Sequence, residues 1–145
     1  MTREERNTMI RAMLDQGAIA DSELPARYDR VVSLAVAVGN ELGFEEETLL
    51  DWRVFVCFLE GGDPGDSYRS EVDAVMQRVA KSGKEAMDVH EACLHYDHLT
   101  FDDQLSPKEA IDKMHQTEVV PFRDEIVAAL ARVGPLITPM REVVD

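Results

Sequence analysis

Glu91, His95, His98 and Asp102 are the residues whose types and spacing suit metal chemistry best. Successive steps of four, three and four residues put all of them on one face of a helix. Imidazole and carboxylate groups are the donors that zinc and related ions take. Against this, one helix rarely supplies a complete ligand shell. The same row also reads as a solvated face carrying helix-stabilising pairs. No metal ligand is therefore assigned, and these four residues stand only as the alternative.

Nucleophilic chemistry has less footing. No Gly-x-Ser-x-Gly elbow is present. Cys93 lies near His90 and His95, yet it sits on an apolar stripe, where burial makes a thiol inert. Cys57 is likewise set among apolar neighbours, so both cysteines read as small hydrophobes. His90 and His115 read as ordinary surface histidines. The string Gly61-Gly62-Asp63-Pro64-Gly65-Asp66 lacks the Lys and Ser/Thr of a phosphate cradle and reads as an inter-helix loop. Trp52 with Arg53, and Tyr68 with Arg69, would make aromatic–cationic binding spots if exposed. Trp52 lies on the most apolar helix, which argues for the core. No catalytic and no cofactor-binding residue is assigned.

The elements that carry these residues are all helical. Thr2 and Glu5 form a capping box that opens a helix to about residue 16. Its stripe of Met9, Ile10, Met13 and Leu14 must be buried on its own domain or on a second chain, which makes it the candidate interaction surface. Apolar spacing predicts further helices over 24–42, 45–59, 67–82 and 84–101. The third is apolar almost all round, as a central helix would be. Ser106, Pro107 and Glu109 start a sixth helix that runs to about His115. Pro121 opens a seventh, with Phe122, Ile126, Leu130 and Val133 inward, and Gly134, Pro135 and Pro139 break the tail. No run alternates with the period of a strand. The expected fold is an all-α compact bundle of about seven helices in a single domain, 1–145. An N-terminal helix (1–17), a core (24–135) and a tail (136–145) make it up.

Charge narrows the partners. The 145 residues carry a net −14, with 29 acidic against 15 basic side chains. That balance repels phosphate backbones and anionic membranes, so neither nucleic acid nor membrane is expected as a partner. Residues 1–11 are highly charged and do not read as a signal peptide, and no apolar run reaches the roughly 20 residues of a membrane span. A cytoplasmic location is expected.

Three stretches together resemble HD-GYP domains of the HD superfamily. Arg30 to Phe44 is similar to the helix that opens that domain, Leu49 to Asp63 to the helix ending in its "LLHDIGK", and Tyr96 to Val133 to its closing segment, with Tyr96-Asp97-His98-Leu99-Thr100 on "YDALT", Leu105-Ser106-Pro107 on "LSPEEAL" and Phe122 to Val127 on "FDPELVEAFL". The resemblance implies an HD-domain-like helical fold and, in the family, metal-dependent hydrolysis of cyclic di-GMP. The family's ligands are largely replaced here. Its opening histidine falls on Arg27 or Tyr28, its His-Asp pair on Leu59-Glu60, its lysine on Asp63 and a later aspartate on Leu94. Residues 64–89, where the family has further histidines and Gly-Tyr-Pro, contain neither. Leu59 and Leu94 are expected to close the former site as hydrophobic core. The expectation is a pseudoenzyme: a non-catalytic, regulatory domain of bacterial signalling, acting on another protein or through self-association as a homodimer. The alternatives are a metal-dependent phosphohydrolase rebuilt around Glu60, Asp63 and Asp66 or the His95/His98 face, and a nucleotide sensor without turnover.

Overall fold

The computed structural model describes residues 1–116 and 122–137. Among them are seven α-helices and no strand. They are α1 (Arg3–Gly17), α2 (Leu24–Glu41), α3 (Glu46–Glu60), α4 (Arg69–Lys81), α5 (Glu85–Asp97), α6 (Pro107–His115) and α7 (Asp124–Ile137). None is long and apolar enough to cross a membrane. The expected all-α bundle is therefore the observed one.

Local rules account for the ends. Both capping boxes form, Thr2 with Glu5 and Ser106 with Glu109. Gly61 ends α3 at a φ of 120°, a conformation that glycine adopts without a Cβ penalty, and the Gly62 N–H then closes on the Cys57 carbonyl at 2.8 Å. The glycine-rich loop is structural. Its Asp63 N–H bonds the Met13 carbonyl at 3.0 Å, which docks the end of α1 beside the end of α3.

Packing corrects three expectations. First, α2 rather than α3 is the hub, because α2 packs on α1, α3, α5 and α7. Small residues let it do so: a Cβ on Gly39 would stand 2.4 Å from the Leu49 side chain and 3.0 Å from the Trp52 ring. Second, the α1 stripe is not a free surface. Met9, Ile10 and Met13 are buried in the chain's own core and Leu14 packs against it, since α1 lies on α3 and α2. Third, Gly134 and Pro135 do not break the last helix. Pro135 falls in the final turn, where it removes one backbone bond beside an exposed Ala131. Pro121 and Pro139 lie outside the described residues, as does 138–145 of the expected tail.

Gly134 is there for close approach. A Cβ at this position would stand 2.5 Å from the Tyr96 hydroxyl and 2.7 Å from its ring carbon, and Tyr96 is fully buried. Glycine to alanine inside a helix ordinarily stabilises by about 0.5–1 kcal/mol. Here the sign reverses: Gly134→Ala is expected to destabilise by about 1–3 kcal/mol, the range for overpacking. Urea denaturation followed by circular dichroism measures it. A variant as stable as the parent would refute this packing.

Candidate functional site

Among the described residues, α3 points two carboxylates inward, and each ties helices together. Asp51 receives Arg78 of α4 through two bonds of 2.8 and 3.0 Å, and Arg6 of α1 at 3.1 Å. At the other end of α3 the Glu60 side chain is only 4% exposed. Arg27 of α2 donates from Nε to Glu60 Oε1 at 2.8 Å and from Nη2 to the Glu60 carbonyl at 2.9 Å. The same Nη2 reaches Asp21 at 2.9 Å. His90 of α5 meets Glu60 Oε2 through Nε2 at 2.8 Å. A carboxylate only accepts, so the proton of that bond belongs to His90 Nε2. The other ring nitrogen, Nδ1, is buried with no hydrogen-bond partner among the described residues.

Burial by itself raises the Glu60 carboxyl, but the bonds from His90 and Arg27 outweigh it and hold the group below its ordinary value. Asp51 follows the same logic, with Arg78 and Arg6 overcoming desolvation. The ionised forms are therefore the stable ones in the folded protein.

Beside the Glu60 triad opens a cavity of about 920 Å³, between the start of α2, the end of α5 and Phe122. Its end wall is a π-helical turn, His98–Asp102, in which the Asp103 N–H bonds the His98 carbonyl five residues back at 3.1 Å. The expected helix over 84–101 thus changes its winding after Asp97. Arg30 shapes this wall. It grips Asp97 through two bonds of 2.9 and 3.2 Å, and its guanidinium carbon lies 3.6 Å from the centre of the Phe101 ring. His95 is half-buried, with its ring centre 5.4 Å from that of Phe122. Burial, with the nearby His98 and Lys113, lowers its pKa, so the imidazole is neutral at neutral pH.

The structure brings Glu91, His95, His98 and Asp102 to this one cavity. It does not make them a metal shell. His98 Nδ1 is bonded to Asp102 at 2.7 Å, and no group of three or more His, Cys, Asp or Glu among the described residues is placed to hold an ion. Asp63 and Asp66 do not join Glu60 either: Glu60 faces Arg27 and His90, while Asp63 accepts the Gly65 N–H at 2.9 Å.

The positions that the HD resemblance sets on metal ligands hold a donor set that does not fit a bridged metal pair. The Arg27 guanidinium stays protonated and is bound to Glu60. Tyr28 is buried and donates its hydroxyl to the Arg53 carbonyl at 3.1 Å. The expectation that Leu59 and Leu94 close the region as apolar core is corrected: both are only half-buried, Leu94 lines the open cavity, and the groups that meet Glu60 are polar. His90, expected at the surface, is 6% exposed. His115 is exposed, as expected. Trp52 is in the core and so forms no exposed binding spot, and Tyr68 is packed against that core.

Sequence reasoning missed Arg27, His90 and Arg30 as site residues. A signal for His90 existed: with Ala86, Val89, Cys93, Tyr96 and Asp97 it falls in the inward register of α5. Comparison with protein-family models, curated proteins and solved structures finds no match.

Three outcomes follow. Removing one partner of a buried pair costs about 3–5 kcal/mol, so Glu60→Gln is expected to lower stability by that order at neutral pH. Because the folded carboxyl titrates below its ordinary value of 4.5, its stabilisation is complete above that value and is lost as pH falls through the lower folded pKa. Urea midpoints for the parent should therefore fall as the pH is lowered below the ordinary carboxyl value of 4.5, and more shallowly for Glu60→Gln. Burial also pushes the Cys57 thiol up to about 12 and raises Cys93 further, so neither should react with a thiol reagent until denaturant is added. Rapid labelling of the native protein would contradict their placement.

Proposed function

We propose that this chain is a non-catalytic, HD-related helical domain that regulates by binding another protein, in the setting of bacterial cytoplasmic signalling. One observation carries the reading. The carboxylate that the resemblance sets at a metal-ligand position, Glu60, is already ion-paired with Arg27 and hydrogen-bonded to His90 within the fold. Both of its oxygens are engaged, and displacing Arg27 would leave a buried charge unpaired at a cost of several kcal/mol. The chemistry of recognition remains, in a cavity of ligand-binding size with aromatic walls. A nucleotide-sensing role is disfavoured, because the exposed carboxylates Glu23, Glu91 and Asp102 line that cavity and repel phosphate.

The test is an assay of the purified chain against cyclic dinucleotides with manganese or iron added, alongside metal analysis. The expected result is no turnover above background and no stoichiometric metal retained. Turnover that tracks bound metal and disappears in Glu60→Gln would overturn the reading in favour of a rebuilt phosphohydrolase.

A further inference from the structure

Resting on that reading, we propose that the cavity between α2, α5 and the π-helical turn docks a basic segment of a partner protein, one that offers an apolar anchor beside Lys or Arg. Ala26, Leu94, Phe101 and Phe122 give the cavity its apolar lining. Phe101 is 45% exposed, although its neighbours Leu99 and Thr100 are buried. It is held out by the wide π turn below it and by the Arg30 guanidinium stacked on it. Turns of this kind are rare and occur frequently at functional sites. A large aromatic ring fixed at the mouth of a cavity is the form of an anchor-binding site.

Charge selects the occupant. The two arginines in the wall are spent inside the protein, Arg27 on Glu60 and Asp21 and Arg30 on Asp97. His95 is neutral at neutral pH. The carboxylates Glu23, Glu91 and Asp102 are exposed at the same cavity, with Asp102 bonded only to His98 among the wall residues. An approaching group therefore meets negative charge at close range and the field of a chain of net −14 at long range. Complementary charge of this sort steers association and sets which partner binds. An acidic peptide or a nucleotide would meet unpaired like charge instead.

The experiment titrates the full isotope-labelled chain with two synthetic amphipathic peptides that share the same leucines, one bearing arginines and the other glutamates. Amide shifts are read by NMR. The basic peptide is expected to move resonances of α2, the end of α5 and the π turn, with affinity that weakens as salt is added. Glu91→Lys and Phe101→Ala, both exposed positions, should each weaken it by about tenfold or more while leaving the thermal transition in place. No shift at the cavity with millimolar basic peptide, equal binding of the acidic peptide, or unchanged affinity in Glu91→Lys would each overturn the proposal. Cyclic di-GMP moving the same resonances would overturn it too. The two readings fail separately: absent peptide binding without turnover sinks only the docking site, whereas metal-dependent turnover sinks the recognition role itself.

Discussion

The Glu60 carboxylate is the point on which the site depends. Taking a carboxylate out of water is unfavourable, and it persists only because Arg27 and His90 reach it from two other helices. The bond from Arg27 to the Glu60 backbone carbonyl also serves the end of α3, where carbonyls have no partner in the helix. One side chain thus fixes the mutual placement of α2, α3 and α5. The cavity beside it takes its shape from that placement, since Arg27 forms part of both.

Asp51 and Asp97 repeat the device. Each is buried and held by arginine from another helix: Arg6 and Arg78 on the first, Arg30 on the second. These contacts add orientation to a core whose aliphatic residues are otherwise interchangeable in direction. They also alter the surface. Four of the 15 basic side chains turn toward inward carboxylates, and most of the remaining acids face water. The exterior is therefore acidic by construction as well as by composition, which bears directly on what can approach it.

The end of α5 joins structure to recognition. Thr100 returns its hydroxyl to the Tyr96 carbonyl at 3.0 Å, and the chain winds wider through His98–Asp102 before reaching α6. That winding keeps Leu99 inside and Phe101 outside within two residues. The same segment forms one wall of the cavity. It is also where an uninterrupted α-helix would have turned a different face to the cavity.

Helix identity was legible in the residues alone because it follows from local rules. Capping boxes at Thr2 and Ser106, glycine after α3 and apolar spacing act over a few residues and need no knowledge of the rest. The burial of both cysteines and of Trp52 was legible for the same reason. The contact of Arg27 and His90 with Glu60 was not, because each lies thirty or more residues from Glu60 and nothing in the spacing links them. Nor was the fate of the α1 stripe, which could satisfy itself on this chain or on another. Gly134 reads as a helix breaker in the sequence, and only the fold shows it inside α7 with Tyr96 packed against it. Local propensity states what each segment becomes, whereas pairing of charges and close approach of backbones depend on which segments meet, and only the folded chain decides that.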